Sequence, residues 1–319
     1  MKAKDLLSIA DLDAAEIERL ISKTLDMKRK EMPPLLSGKV LALLFEKASL
    51  RTRVSFEVAM HHLGGYTIYL SPDEVGLGRR EPVSDVSRVL SRYVDGIAAR
   101  TYSHKTLETL AQYSDVPVIN ALSDLEHPCQ ALADLVTIYE KKKKLRSLKL
   151  AFIGDGNNVA HSLLLACALI GMNFHIASPA GYGVKREILQ RGKELAAHSG
   201  GQIWSSQDPS QAAADADVIY TDVWTSMGQE AEAEQRRRAF ANYQVNAELL
   251  SLAKKDAIFM HPMPAHHSEE ISLGFLDSPY SVVFDQAENR LHLQKALLVK
   301  IFQGSGQGGE EVVSFGTTS

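Results

Sequence analysis

The chain has 319 residues, of which 45% are hydrophobic and 23% are charged, values typical of a soluble globular protein. This length predicts two domains or one large domain. The formal net charge of −4 argues against a general nucleic-acid-binding protein. The basic run at 141–146 is therefore interpreted as a solvated helix end.

Cysteine usage and the first residues bear on the compartment. Cys129 and Cys167 have neither metal-ligand spacing nor a disulfide pattern, which predicts a protein of the reducing cytoplasm. The first 20 residues contain early acidic side chains and no long apolar stretch, so they predict neither a signal peptide nor a membrane span. The Gly/Ser-rich segment 304–319 predicts a flexible tail.

In chain order, the predicted strands and helices alternate in two successive series. A helix at 11–30 precedes the first series, which has strands at 39–45, 66–70, 96–100 and 117–121, with helices at 52–65, 83–94, 105–114 and 127–144. The second series has strands at 148–154, 174–178, 202–206, 217–222, 257–261 and 281–286, and a C-terminal helix at 288–303. Alternation of this kind is typical of parallel sheets.

The sequence therefore predicts an α/β fold with two domains, each a parallel sheet flanked by helices. The predicted domains are residues 1–147 and 148–287, with the C-terminal helix 288–303 returning to the first domain. Ligands of such sheets lie beyond the carboxyl ends of the strands, so the loops at those ends should carry the chemistry.

The loop at 45–57, FEKASLRTRVSFE, predicts an anion site. Ser49, Arg51, Thr52 and Arg53 stand at a strand-to-helix turn, where free N–H groups carry a partial positive charge. Hydroxyl and guanidinium groups there suit a phosphate. Arg100, directly after a later strand, could reach the same anion. The alternative interpretation is a serine cap beside surface arginines.

The next candidate lies at the start of a long helix, in the run HPCQ. His127 could polarise a carbonyl group and Gln130 could hydrogen-bond an amide, while Pro128 suits the first helical turn. A capped helix explains this run equally well.

Two loops of the second series complete the set. FIGDGNNVAHS (152–162) resembles a truncated dinucleotide fingerprint, but no acidic residue follows for the ribose, which disfavours NAD. Asn157 and Asn158 are instead candidates for a cleft.

In YTDVWTSMGQE (220–230), Asp222 can pair with an amine, and Ser226 and the backbone near Met227 can hold polar groups of a small zwitterion. The alternative for this loop is an ordinary surface position.

Taken together and in order, these motifs resemble the aspartate/ornithine carbamoyltransferase family over nearly the whole chain. The family patterns S-T-R-T-R, H-P-x-Q, D-x-W-x-S-M-G, H-C-L-P and E-N-R correspond to runs starting at Ser49, His127, Asp222, His261 and Glu288. The resemblance implies transfer of the carbamoyl group of carbamoyl phosphate to an amine, without a cofactor or a metal. It also implies a homotrimer in which segment 71–82 reaches a neighbouring subunit.

Roles for individual residues follow from this resemblance alone. Those implied for carbamoyl phosphate are Ser49, Leu50, Arg51, Thr52, Arg100, His127, Gln130, Pro262, Met263 and Arg290. Those implied for the amine substrate are Asn158, Asp222, Ser226 and Met227. Those implied for catalysis are Arg100, His127, Asp222, Pro262 and Met263.

The second-substrate loops favour the ornithine branch of the family over the aspartate branch. The aspartate branch has arginines in these loops, whereas this chain has asparagine, aspartate and serine. The carboxylate of Asp222 would repel aspartate and attract a cationic amine. The expected reaction is attack of the δ-amine of L-ornithine, giving L-citrulline and phosphate. A related amine as substrate, or a non-catalytic homologue that binds carbamoyl phosphate, are the alternatives.

Two positions depart from the family pattern. Leu50 stands where threonine is usual, and Pro262 replaces the cysteine of H-C-L-P. The aspartate branch also has proline there and still transfers carbamoyl groups, so we expect an active enzyme with its pH profile displaced upward. The carbonyl groups of Pro262 and Met263 are expected to accept from the carbamoyl NH₂. The pairs His61–His62 and His266–His267 are interpreted as surface or packing residues.

Overall fold

The structure, a computed structural model, describes residues 4–78, 80–226 and 228–304. The first half contains α1 (Ala14–Arg29), β1 (Val40–Phe45), α2 (Leu50–His62), β2 (Tyr66–Leu70), α3 (Pro72–Val75), α4 (Val83–Leu90), β3 (Gly96–Arg100), α5 (His104–Tyr113), β4 (Val118–Leu122) and α6 (Pro128–Lys142). The second half contains β5 (Lys149–Ile153), α7 (Asn158–Ile170), β6 (Asn173–Ala177), α8 (Arg186–Ser199), β7 (Ile203–Ser206), α9 (Pro209–Ala213), β8 (Val218–Tyr220), α10 (Ala233–Phe240), α11 (Ala247–Ser251), β9 (Ile258–Met260) and α12 (Val283–Gly304).

These elements form two parallel sheets, which confirms the predicted fold class. The first sheet has the order β2-β1-β3-β4 and the second has the order β7-β6-β5-β8-β9. The strand order reverses beside β1 in the first sheet and beside β5 in the second. A crevice opens at the carboxyl ends of the strands at such reversal points. The loops after β1, β3, β5 and β8 are therefore the ones that the topology brings to a binding site.

The composition of the strands and central helices explains why these layers form. The strand β1, VLALLF, is buried along nearly its whole length, as expected when helices cover both faces of a parallel sheet. The helix α7, NVAHSLLLACALI, is buried on almost every side because it packs against β6 and α8 and also against α1 and α6 of the first half. Strand ends beside these rigid elements are held in fixed positions.

The predicted strand at 281–286 is wrong. Ser281 makes only an isolated parallel bridge with Phe259, and α12 starts at Val283, ahead of the predicted start at 288. The apolar run Val282-Val283-Phe284 suggested a strand, but buried positions recur with helical spacing at Leu293, Ala296 and Leu297, and these continue the helix for 22 residues.

The C-terminal helix does return to the first half, as predicted. The helix α12 packs against α1, α2 and α6. Its last residue, Gly304, is the first residue of the predicted tail, and the rest of that tail lies outside the described residues. Within the described ranges, the structure has no helix that is long and apolar enough to cross a membrane.

Candidate active site

A cleft of about 1100 Å³ lies between the two halves, at the carboxyl ends of both sheets. It brings together the described residues to which the family resemblance gave a substrate role: Ser49, Leu50, Arg51, Thr52, Arg100, His127, Gln130, Asn158, Asp222, Ser226, Pro262, Met263 and Arg290. Met227 lies outside the described residues. Residues separated by up to 241 positions in the chain, such as Ser49 and Arg290, thus share one cavity.

The start of α2 forms one wall of the cleft. Ser49 is the N-cap, and its Oγ accepts from the N–H of Thr52 at 3.4 Å. The Nη2 of Arg290 donates to Oγ1 of Thr52 at 2.9 Å, so α12 is tied to this helix start. Leu50 is 75% exposed and also lines the cleft.

Three guanidinium groups converge beside this helix start. Arg100 ends β3 at a shift of register with β4, an irregularity of the kind that redirects a side chain. Burial and repulsion from Arg290 and Arg51 lower the pKa of Arg100 to about 10. The Nε atoms of Arg100 and Arg290 are buried without a hydrogen-bond partner. Clustered cations with unused donors indicate an anion site.

Arg53 does not belong to this cluster. Its Nε pairs with Glu57 at 2.9 Å, and its guanidinium lies over the ring of Tyr69 at 3.9 Å. It does not line the cleft. The sequence counted two arginines in the 45–57 loop toward the anion site, and only Arg51 reaches it, because successive helical positions face different directions.

The start of α6 presents His127 and Gln130 to the same region. The N–H of His127 donates to Oγ of Ser162 at 2.8 Å, and its Nδ1 is buried without a partner. Burial, with repulsion from Arg290 and Arg100, holds the pKa of His127 well below its usual range. The imidazole is therefore neutral at pH 7. Gln130 donates to Asp134 at 2.8 Å, while its Oε1 has no partner.

The second wall is formed by the loops after β5 and β8. Asn157 caps α7, because its Oδ1 accepts from the N–H groups of Val159 and Ala160, and its Nδ2 donates to Asp222 at 2.7 Å. Asn158 donates to the carbonyl of Ser123 at 2.5 Å, so its oxygen is the group left for a ligand. Burial raises the pKa of Asp222, although His261 and the bond from Asn157 oppose this.

The glycines of the GDGNN turn serve packing within the second half. A Cβ on Gly156 would lie 2.2 Å from the backbone nitrogen of Val184, and 2.3 Å from the backbone carbon of Gly183. Gly154 has a φ of +143°, a region that favours glycine. The resemblance to a dinucleotide fingerprint is thus explained by a turn that lies against another segment of the protein.

Arg236 holds the loop after β8 in place, and sequence reasoning missed it. Its Nη1 donates to Asp155 and to the carbonyl of Trp224, each at 2.9 Å. Burial raises the pKa of Asp155 to about 6, and the charge of Arg236 opposes that rise. Arg236 stands in a run of three arginines, and the run itself carries no signal that singles it out.

The turn after β9 contains His261, Pro262 and Met263. The N–H of Met263 donates to Nδ1 of His261 at 2.9 Å, so the ring hydrogen is on Nε2, which lies 3.2 Å from Oε1 of Glu270. Met263 has a φ of +59°, which is strained for a residue with a side chain, and its bond to Pro264 is cis. Non-glycine residues with a positive φ, such as Met263, concentrate at functional sites.

Several other groups line the cleft or stand beside it. His266 and His267 are exposed at its wall, and His61 and His62 are exposed elsewhere. His266, Glu269 and Glu270 present atoms within 4.8 Å of one another and could hold a metal ion, but Glu269 already pairs with Arg237 at 3.0 Å. Lys47 also lines the cleft, and its place before Ser49 in the 45–57 loop could have identified it.

The fold and the cleft define a two-domain α/β protein. One wall of its cleft is an anion site formed by cationic side chains, and the other wall carries a buried carboxylate. Two family domains match this chain. The first, "Aspartate/ornithine carbamoyltransferase, carbamoyl-P binding domain", covers residues 4–140. The second, "Aspartate/ornithine carbamoyltransferase, Asp/Orn binding domain", covers residues 146–301. The chain belongs to the aspartate/ornithine carbamoyltransferase family.

Individual relatives agree with this assignment. An ornithine carbamoyltransferase from Halalkalibacterium halodurans is 52% identical over 308 residues, which is 95% of this chain and 97% of the relative. The solved ornithine carbamoyltransferase from Pyrococcus furiosus has a TM-score of 0.91 at 52% identity, covering 94% of this chain and 97% of its own. The anabolic ornithine carbamoyltransferase from Campylobacter jejuni has a TM-score of 0.91 at 39% identity, covering 95% and 100%.

Proposed function

We propose that this protein transfers the carbamoyl group of carbamoyl phosphate to the δ-amine of L-ornithine, releasing phosphate and giving L-citrulline. The observation that carries the proposal is the arrangement of the cleft. Arg51, Arg100 and Arg290 line one wall, where the Nε atoms of Arg100 and Arg290 are buried without a partner, and the carboxylate of Asp222 stands on the other. A phosphorylated carbonyl compound and a cationic amine fit these two walls, and the relatives are named for this pair of substrates.

In this proposal the first half, residues 1–147 with the C-terminal helix, binds carbamoyl phosphate. Its phosphate lies at the start of α2, against Ser49, Arg51, Thr52, Arg100 and the backbone of Leu50. Its carbamoyl end lies against His127, Gln130 and Arg290. The carbonyl groups of Pro262 and Met263 accept from the carbamoyl NH₂. Positive charge that faces the leaving phosphate stabilises it more as its own charge grows.

The second half, residues 148–287, binds L-ornithine. Asp222 pairs with the δ-ammonium and accepts its proton, for which a carboxyl group of raised pKa is suited. The oxygen of Asn158, Ser226 and the backbone at Met227 hold the amino-acid end. Once deprotonated, the amine attacks the carbamoyl carbon, and the carbon–oxygen bond to phosphate breaks.

Neutral His127 acts on the carbamoyl oxygen in this scheme. The pKa of His127 lies well below its usual range, so its ring is neutral and carries one N–H. That N–H donates a hydrogen bond to the carbamoyl oxygen as negative charge develops there. Arg100 and Thr52 add further donors. Holding both substrates in one cleft supplies several kcal/mol of the barrier reduction, roughly 7–11 kcal/mol at most.

Aspartate fits the second wall less well than ornithine. Of the arginines near it, Arg237 lines the cleft but is paired with Glu269 at 3.0 Å. Arg236 is buried and bound to Asp155. Asp222 and Glu230, which both line the cleft, therefore present negative charge to a second substrate and attract an amine.

A homotrimer and a cytoplasmic location are parts of the same proposal. The edge strand β2 and the start of α2 expose large apolar side chains, with Leu50 75%, Tyr66 67% and Ile68 47% exposed. An exposed apolar surface of this kind suits contact with another copy. Both cysteines are buried and unpaired, as in proteins of reducing compartments. That segment 71–82 reaches a neighbouring subunit stays a prediction. Sedimentation at micromolar concentration would contradict the trimer if it returned a monomer.

The substrate assignment is tested by measuring citrulline and phosphate with ornithine, putrescine and aspartate as acceptors. Of these three acceptors, we expect only ornithine to be carbamoylated at a substantial rate. Carbamoylation of putrescine or another amine without any citrulline would transfer the assignment to a related amine. If no amine is carbamoylated, titration with a bisubstrate analogue of carbamoyl phosphate and ornithine distinguishes a slow enzyme, which binds it tightly, from a homologue that binds phosphate alone.

A further inference from the structure

A single buried carboxylate, Asp134, receives hydrogen bonds from three elements of the fold. Asp134 has no exposed surface and lies on α6, one helical turn after Gln130. Its Oδ1 accepts from Nε2 of Gln130 and from Nε2 of Gln286, each at 2.8 Å. Its Oδ2 accepts from the hydroxyl of Tyr220 at 2.8 Å. These donors come from α6, α12 and β8.

The carboxylate fixes which way the amide of Gln130 points. A carboxylate oxygen only accepts, so the nitrogen end of the amide must face Asp134 and the oxygen end must face away. That oxygen, Oε1 of Gln130, is buried and has no partner within the described residues, and Gln130 lines the cleft. An unpaired buried acceptor beside the carbamoyl end of the cleft requires a donor from the ligand.

The same carboxylate reaches the proline turn through a second amide. Gln286 donates to Asp134, and its Oε1 accepts from the N–H of His261 at 2.9 Å. His261 in turn accepts from the N–H of Met263. The hydrogen-bond partners of Gln130 and Gln286 therefore fix which end of each amide is nitrogen and which is oxygen. Asp134 links Gln130 in the first half to the turn at 261–263 in the second.

We infer that Asp134 is a positioning residue that makes the carbamoyl end of the cleft selective for an NH₂ group. It does so by directing Oε1 of Gln130 into the cleft. It also holds the 261–263 turn in place through Gln286. The inference rests on the proposed function. It does not require Asp134 to be ionised, because a proton on Oδ2 would face the oxygen of Tyr220 and would leave Oδ1 as the acceptor for both amides.

The test compares two phosphorylated ligands that differ at this end. Carbamoyl phosphate has an NH₂ group where acetyl phosphate has a methyl group of similar size. Asp134→Leu has a side chain of similar branched shape but no acceptor for Gln130 or Gln286, so the Gln130 amide is no longer fixed. Calorimetric titration of each ligand should show that the preference for carbamoyl phosphate falls at least tenfold. Acetyl phosphate affinity should stay within about twofold, because the arginines are intact.

A matched control is available on the same helix. Thr137→Val removes another buried hydrogen bond of α6, between Thr137 and Asn289, and leaves Gln130 untouched. Its ligand preference should equal that of the wild type. Equal weakening of both ligands in Asp134→Leu, or the same loss of preference in Thr137→Val, would overturn the inference. If Asp134→Leu does not fold, Asp134→Ala, which also offers no side-chain acceptor, replaces it.

Failure of the inference and failure of the proposed function are distinguishable. The ligand preference is a binding measurement without ornithine, so it can be made even in a protein with no turnover. An unchanged preference in Asp134→Leu, beside normal citrulline formation by the wild type, rejects the role of Asp134 alone. Absence of carbamoyl transfer to any amine rejects the proposed reaction instead.

Discussion

Arg100 should reduce the stability of the ligand-free protein while it supports binding. Its guanidinium is largely buried, and within the described residues it makes no hydrogen bond to another side chain. Burial and two neighbouring arginines lower its pKa to about 10. Arginine is charged at pH 7 in both the folded and the unfolded protein, so the whole cost of holding that charge is present at pH 7 and declines only above pH 10.

The size of this effect follows from the pKa. The pKa of Arg100 is more than two units below that of ordinary arginine, which corresponds to a destabilisation of its charged form in the folded protein by roughly 3 kcal/mol. Arg100→Met removes the charge and keeps most of the apolar stem. Because part of the repulsion remains between Arg51 and Arg290, we expect a gain of about 1–2 kcal/mol in the free energy of unfolding. In a chain of this size that is roughly 1.5–3 °C in Tm.

The assay is thermal unfolding in phosphate-free buffer, repeated with saturating carbamoyl phosphate. A ligand at a hundred times its Kd stabilises by about 2.7 kcal/mol. Wild type should show this increase, and Arg100→Met should lose most of it. Arg53→Met is the control, since Arg53 is an exposed arginine of α2 that does not line the cleft. A ligand-free Tm that is unchanged or lower in Arg100→Met would refute the reasoning.

Two further substitutions test the GDGNN turn and the proline turn. Gly156→Ala should lower the free energy of unfolding by about 1–3 kcal/mol in a denaturant titration, because its Cβ would lie 2.2 Å from the nitrogen of Val184. Gly183→Ala, whose Cβ would meet nothing within 4 Å, should change it by less than about 0.5 kcal/mol, and equal effects would contradict this account. Pro262→Cys should raise kcat about tenfold near pH 7 and move the kcat–pH profile downward, because a thiol can take part in removing the amine proton. A lower kcat at every pH would exclude this role.

Local pattern was sufficient to predict the sheets and most of the site. Apolar runs such as VLALLF identify buried strands, and polar groups directly after them identify loops that parallel topology brings together. That is why Ser49, Arg100 and Asp222 could be assigned to one cleft from the sequence. The family motifs added Arg290, which stands on a helix with no strand before it.

Groups that act through another residue could not be predicted this way. Asp134 sits in the interior of α6 with the helical spacing of any buried position, and its three donors come from distant parts of the chain. Arg236 is one of three consecutive arginines, and only packing distinguishes it. The start of α12 was missed because three apolar residues in a row suit a strand as well as a helix.

The path of α12 has a consequence for how the protein is made. This helix, Val283–Gly304, is synthesised after all the strands, yet it carries Arg290 back to Thr52 and covers α1, α2 and α6. A nascent chain that ends before Val283 has both sheets but lacks the third guanidinium and the helix that covers the first half. During translation the anion site is therefore completed last, and a prematurely terminated chain would expose apolar surface for proteolysis without being able to consume carbamoyl phosphate.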